Sequence, residues 1–464
     1  MDRLTGDGGM SKSGIDAETV GAGRSYWHRN GSAPPPGGET ETNAPDRNPP
    51  PSRADIVIVG GGLAGLSTAL RIMERQPDAD VVILDAHFPG YGASGRNGGL
   101  MSPLAAPAWL VTAASNPDHA WGLKAINART AAAAEWARAM APEAEVRSAE
   151  LALEATGRLT DCGLREVARG VDSAGISYDL AAGRKRSDVA AMHIAAHSVH
   201  PYKLVAGLAR AATGAGVRIV SNATVSRIDD EGAAGARIHL AGGSVVQARS
   251  VVVATNAYTP SLQLARPPRA KAVYNYMLAT GPIDPAKLEV AISPKGFVVE
   301  LNYAYAFWRI HEGRIVYGGL ERLKPVPDDR DLFVPVNVAR ALERHLAATL
   351  GTEAELPKIT DHWGGKYHVT ATDLPVIRRE AGSAIVLNVG YGGEGVALTM
   401  ALAPLAAALA LGKAPPEPEL GRLASIIAET RVPVAGMARF VARVAADVVT
   451  TTVRGRAPRP ARHS

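Results

Sequence analysis

The chain has 464 residues, of which 46% are hydrophobic and 20% charged, a soluble globular composition whose length calls for about two or three domains. Its one cysteine, Cys162, excludes an intramolecular disulfide and a cysteine metal cluster, and fits a reducing, cytoplasmic setting. The net charge of +5 is nearly accounted for by Arg454, Arg456, Arg459 and Arg462 at the end of the chain, so the basic balance belongs to a solvated tail and does not mark a nucleic-acid binder.

Residues 1–52 are rich in Gly, Pro, Ser, Thr and Asn, lack the apolar core of a secretory signal, and are expected to form a disordered leader. Ser25-Tyr26-Trp27-His28 is the leader's aromatic patch and a candidate for docking on the body. The stretch that organises the chain is Ala54 to Leu100. A strand ending at Val59 runs into Gly60-Gly61-Gly62-Leu63-Ala64-Gly65, a helical pattern follows, and a second strand, Val81 to Leu84, ends at Asp85, twenty residues after Gly65. Gly60 permits the tight turn, Gly62 lets backbone approach a pyrophosphate, Gly65 lets the helix pack on the strand, and Asp85 is placed for a ribose diol. This is a dinucleotide site. The next stretch, Gly90 to Gly99, is a glycine loop whose amides can face an anion or a planar ring, at the carboxyl end of the strands.

Trp109 to about Arg184 reads as helical, an insertion covering the dinucleotide domain, with Cys162 read as a small buried hydrophobe. A helix from Pro201 to Thr213 leads to strands at Val217–Val220, Val225–Ile228 and Arg237–Leu240, and Ser250–Ala257 returns as a buried parallel strand. Ala272–Thr280, Phe297–Ile310 and Ile315–Gly319 are expected strands; Tyr305, Phe307 and Arg309 share one face and are candidates for lining a pocket. Ile385–Val389 then feeds a second glycine turn, Gly390 to Gly395, and an apolar helix, Val396 to Leu411. That run holds Pro404 and is short for a membrane span, so a buried helix is expected and no membrane partner. Its positive N-terminus suits a ring that gathers negative charge.

Six separated motifs resemble those of the D-amino-acid oxidase-like superfamily of FAD-dependent oxidoreductases, most closely the γ-glutamylputrescine oxidase branch beside the glycine and sarcosine oxidases. They are VGGGLAGLSTAL (Val59–Leu70), GYGASGRNGG (Gly90–Gly99), HPYKL (His200–Leu204), VVVATNAY (Val251–Tyr258), RIVYGG (Arg314–Gly319) and GYGGEGVALT (Gly390–Thr399). The likeness runs from about Asp55 to about Asp447. It implies an α/β fold, α+β overall, in which a Rossmann-like FAD/NAD(P)-binding domain carries an inserted antiparallel-sheet substrate domain. The expected division is a leader at 1–52, an FAD domain from 53–105, 190–260 and 355–415, a substrate domain from 106–189 and 261–354, and a helical segment with a basic tail at 416–464.

The resemblance also implies residue roles. Gly60, Gly62, Leu63, Ala64 and Gly65 would contact the FAD pyrophosphate, with Asp85 and Ala86 by the ribose and Val225 at the adenine. Ser94, Gly95, Arg96, Asn97, Gly98 and Gly99 would line the ribityl chain and isoalloxazine, and Gly392, Gly393, Glu394 and Gly395 would approach the pyrimidine ring. Tyr305, Phe307 and Arg309 would face the substrate. Lys366 stands where sarcosine oxidases attach FAD through cysteine, so non-covalent FAD is expected, with Lys366 a candidate cation near N5. Glu394 replaces a histidine of relatives, and Arg378 ends a segment that usually ends in glycine. The reaction implied is oxidation of a small amine or amino acid by hydride transfer to flavin, with O2 or another acceptor and no metal. Oxidation of a 2-hydroxy acid or polyol phosphate, or a flavoprotein subunit serving an electron-transfer partner, are the alternatives.

Overall fold

The computed structural model describes residues 25–31, 49–183, 190–283, 296–301, 306–322, 334–350 and 357–431. Tyr305 and the terminal arginines lie outside them. The first half of the chain runs α1 (Tyr26–Asn30), β1 (Arg53–Val59), α2 (Leu63–Arg75), β2 (Val81–Leu84), β3 (Leu100–Met101), α3 (Pro107–Leu110), α4 (Pro117–Met140), β4 (Arg147–Ala155), α5 (Arg158–Ser173), β5 (Asp179–Ala182), β6 (Ala190–Ser198) and α6 (Pro201–Gly214). It continues with β7 (Arg218–Val220), β8 (Val225–Asp230), β9 (Ala236–Leu240), β10 (Val245–Val253), β11 (Ala270–Thr280), β12 (Gly296–Leu301), β13 (Phe307–His311) and β14 (Arg314–Arg322). The last described elements are α7 (Val336–Leu350), β15 (Ile359–Thr370), β16 (Val376–Arg379), β17 (Ile385–Val389), α8 (Gly395–Ala410) and α9 (Pro418–Glu429).

Two sheets result. The first has the order β16-β17-β10-β1-β2-β7, with β8 and β9 joined to it through β10. From β17 to β7 it is parallel, and β16 runs antiparallel at the edge. β1 pairs along its length with both β10 and β2, and its apolar run alternates toward two cores because both of its faces are covered. Ile56 and Ile58 pack with the helices α2, α6 and α8, whereas Val57 and Val59 pack with the β8–β9 hairpin. α8 lies against α2 and α4 with nearly every residue buried, as a core helix does.

The second sheet has the order β15-β11-β14-β13-β12-β4-β6-β3, with β5 on β6. Every pairing in it is antiparallel except β12 with β4. Both expected layers are therefore present, but several boundaries move. β6 pairs with β4, and β15 with β11, so residues 190–198 and 359–370 belong to the second sheet and not to the FAD domain. The segment expected to be helical contains β4, whose alanines yield to pairing on both edges. Phe297 to Ile310 is not one strand: β12 and β13 are antiparallel neighbours with Val299 opposite Phe307. Cys162 is exposed on α5 rather than buried.

The leader is corrected too. Ser25 caps α1, accepting from His28 N, and Tyr26 and Trp27 are fully buried. They pack among Tyr202, Met277, Ala279, Val316 and Trp363, so the aromatic patch, the expected docking candidate, is docked between α6 and the second sheet.

Candidate active site

The carboxyl ends of β1 and β10, the α2 and α8 N-termini and the face of the second sheet enclose two cavities with a shared wall of Gly62, Ala93, Ser94, Ala254 and Asn256. Their empty volumes, open mouths included, are ≈ 1320 Å³ and ≈ 1070 Å³. Together they form one trough.

At the adenosine end, Gly60 adopts φ +107°, and a Cβ there would meet Ala254 O at 2.8 Å; glycine alone enters this turn without strain. Asp85 follows β2 and accepts from Gly61 N (2.7 Å) and His87 N (2.9 Å). Desolvation raises its carboxyl pKa, and the two amides oppose the rise. Asp85, Ala86 and Val225 line this end. Gly62 is the N-cap of α2 without a side-chain cap, and its missing Cβ leaves room for Ser94 Oγ, which would lie 2.8 Å away. Ser94 Oγ accepts from Leu63 N at 3.0 Å. Gly65 does not line the trough. It lies against β1, where a Cβ would fall 2.0 Å from Gly60 O, so its part is helix–strand packing. Gly95 is likewise a packing residue, 2.2 Å from Gly90 O by the same measure.

At the other end, Leu63, Ala64, Arg96, Asn97, Gly98 and Gly99 meet Phe307 and the turn Gly392 to Gly395. Asn97 staples its own loop: Nδ2 donates to Ala93 O (3.1 Å) and Ser94 O (2.9 Å), and Oδ1 accepts from Gly99 N (2.8 Å). Arg96 is buried and its Nε donates to Tyr91 O at 2.6 Å, so its guanidinium holds the loop. The Phe307 ring closes over Gly98 and Gly318, where added Cβ atoms would lie 3.1 and 2.4 Å from it. Glu394 is the N-cap residue of α8, where a carboxylate is favoured by the helix dipole.

Two expected pocket residues sit elsewhere. Arg309 shares the strand face of Phe307 but lies under the loop, donating from one terminal nitrogen to Val199 O (3.0 Å) and Gly99 O (3.3 Å). Trp27 covers it, 5.0 Å from the ring centroid, and burial lowers its pKa to about 10. Lys366 lines the adenosine end, its Nζ 4.1 Å from the centre of the Tyr258 ring. The alternation of β15 that turns Gly365 and Tyr367 into the catalytic end turns Lys366 away from it. Beside Arg309, Glu145, His311 and Glu312 bring ligand atoms within 4.8 Å of one another, but Glu145 already pairs with Lys203 (2.5 Å) and Arg147 (3.0 Å).

The structure adds residues the sequence reading missed. Trp363, Asn275, Met277, Tyr367, Asn388 and Tyr391 also line the catalytic end. Tyr391 OH donates to Asn388 Oδ1, Asn388 Nδ2 donates to Thr68 Oγ1 (3.0 Å), and Thr68 donates to Ala64 O (2.7 Å). This chain ties the second glycine turn to the first helix, and burial raises the Tyr391 pKa. Asn388, a fully buried amide inside the apolar strand IVLNV, was the signal available in the sequence.

These features fit FAD: a diol acceptor at one end, a Cβ-free helix N-terminus at the middle for the pyrophosphate, and a second helix N-terminus with glycines at the far end. The comparisons agree. Residues 55–409 match the family model DAO, described as FAD dependent oxidoreductase. The chain is 26% identical over 382 residues to a probable oxidoreductase OrdL of Rhizobium meliloti, covering 78% of this chain and 84% of that protein. It is 27% identical over 381 residues to the gamma-glutamylputrescine oxidoreductase of Escherichia coli, with the same coverage, 78% and 84%. The structure of glycine oxidase from Geobacillus kaustophilus superposes with a TM-score of 0.65 at 19% identity, over 78% of this chain and 96% of that one, and so shares the fold.

Proposed function

We propose that this chain, which belongs to the DAO family of FAD-dependent oxidoreductases, oxidises a small amine or amino acid at the carbon bonded to nitrogen. FAD, held by Gly62, Asp85 and the Gly90–Gly99 loop, would supply the two-electron oxidation of the C–N bond to an imine, with O2 as the acceptor reduced to H2O2 and water releasing a carbonyl compound and an amine or ammonia. The protein's part is to bind, orient and exclude water. Phe307, Met277 and Trp363 give the catalytic end an apolar wall that screens the reacting carbon from solvent. Gly98 and Gly393 keep Cβ atoms out of the space a ring and substrate need.

The observation that carries the amine reading is the carboxylate of Glu394 at that end. Among the described lining residues the ionic side chains are Arg96 and Glu394, and Arg96 is held to the loop by Tyr91 O. Glu394 is the carboxylate of that wall and the group in it that would pair with a substrate ammonium. The Escherichia coli relative, named for a putrescine derivative, supports the same class. Anaerobic bleaching of the purified holoenzyme by a panel of amines, amino acids, 2-hydroxy acids and polyol phosphates tests the proposal. Bleaching by amines with peroxide formed on admitting air is the expected result; bleaching by hydroxy acids or polyol phosphates alone overturns it.

A further inference from the structure

The Gly90–Gly99 loop shapes one wall of the trough, and its carbonyls are held from behind. Ser25 Oγ donates to Gly95 O (3.1 Å), and His28 Nε2 reaches Gly90 O (3.2 Å). Ser25 N donates to His28 Nδ1 (3.1 Å), which leaves Nε2 as the protonated nitrogen and the donor to Gly90 O. Two further carbonyls are reached at one remove. Tyr26 stacks on Trp363, centroids 6.5 Å apart, and Trp363 Nε1 donates to Arg96 O (2.8 Å). Trp27 lies under Arg309, which donates to Gly99 O (3.3 Å). Tyr26 OH meets His311 Nδ1 at 2.9 Å, fixing the other side of the segment. Residues 25–31 join neither sheet, yet they brace four carbonyls of the loop.

We propose that Ser25–Gly31 is a clasp that holds the Gly90–Gly99 loop in its FAD-binding shape, so that the N-terminal segment sets cofactor affinity. The clasp pairs with no strand of either sheet, so it is a docked element and its release need not unfold them. The trough would then keep the part of its adenosine end that is built on the first sheet and lose order along the loop, where Gly90, Ser94, Asn97 and Gly98 stand. Ser25 and His28 are positioning residues here, acting on FAD through the loop. The inference rests on the FAD site alone and is independent of which substrate is oxidised.

The test compares three proteins: the full chain, the chain lacking residues 1–31, and the full-length Ser25→Ala/His28→Ala variant, which keeps Tyr26 and Trp27. FAD is titrated into each apoprotein and followed by flavin fluorescence, and melting is recorded with and without FAD. The truncated chain should bind FAD at least about tenfold more weakly, with affinity partly restored by a synthetic peptide of residues 20–33. The double variant should bind several-fold more weakly with an unchanged apoprotein melting temperature, and the rise in melting temperature on adding FAD should shrink. Should the truncated chain fail to fold, the double variant decides. Wild-type FAD affinity in the double variant, or in a folded truncated chain, overturns the clasp.

Discussion

The two ends of the trough are built on different plans. The adenosine end is drawn mostly from the first sheet, from the turn after β1, the acid after β2, Val225 at the start of β8 and the residues after β10, joined by Gly90 to Ser94 of the loop and Lys366 of β15. The catalytic end is assembled from segments far apart in sequence: the Gly90–Gly99 loop, β11 to β13, β15 and the turn before α8. Local chain geometry makes the first. Long-range packing makes the second, and two buried ties maintain it, the Tyr391–Asn388–Thr68 chain and the Trp363 contact with Arg96 O. The lesson is that the adenine anchor at Asp85 and the substrate-facing turn at Glu394 lie on separate segments, so each can be disturbed without the other, while the loop between them serves both.

The largest effect expected at the adenosine end is that of Gly62→Val. Its branched side chain enters space where even a Cβ lies 2.8 Å from Ser94 Oγ, so the variant should purify colourless while its apoprotein retains the wild-type circular dichroism. An FAD-loaded variant would remove the distinction between the two ends.

The next effect concerns pH. Burial lowers the pKa of His200 to about 3 and of His311 to about 4, both beside the clasp and Arg309. His368, on β15, is also lowered by burial to about 4. Each imidazole takes up its proton near pH 6.5 when unfolded and resists it when folded, so their contribution is fully present above about pH 6.5 and is lost as the pH falls toward 4. Thermal melting of the holoenzyme should therefore drop steeply between pH 6.5 and 4. His311→Gln should flatten that drop, and an unaltered acid limb would contradict the assignment.

Glu394→Gln should act at the catalytic end alone. Loss of its charge is expected to raise KM for a cationic amine about tenfold, the size of one charge-assisted contact, with FAD affinity little changed. Lys366→Met is expected to give the smallest effect, roughly a two- to threefold loss of FAD affinity, since a half-buried cation still reached by solvent contributes little. Oxygen reactivity of the reduced enzyme should stay at the wild-type rate. A large fall in that rate would return Lys366 to the catalytic end.

The same contrast explains what was legible in the sequence. Ile56 to Asp85 declares its function locally, because turn, helix and acid lie within one strand–helix–strand unit and their spacing is the geometry. Both sheets were foreseeable as classes, from apolar runs in one and alternation in the other. Arg309 was misplaced because alternation assigns a face and not the neighbour that covers it, and here the neighbour is Trp27, some 280 residues earlier. Lys366 was misplaced because motif position does not report which side of β15 a residue faces. Trp363 and Asn388 act through contacts with distant backbone and side chains, which no spacing along the chain encodes.

The central claim is that the catalytic end, through Glu394, is made for a cationic amine. The most direct measurement is the anaerobic rate of flavin bleaching by an amine and by a hydroxy acid of matched carbon skeleton, in the wild type and in Glu394→Gln. The account predicts that the amine bleaches the wild-type flavin far faster and that Glu394→Gln narrows the ratio. A wild-type enzyme that prefers the hydroxy acid, or a ratio unmoved by the substitution, would contradict it.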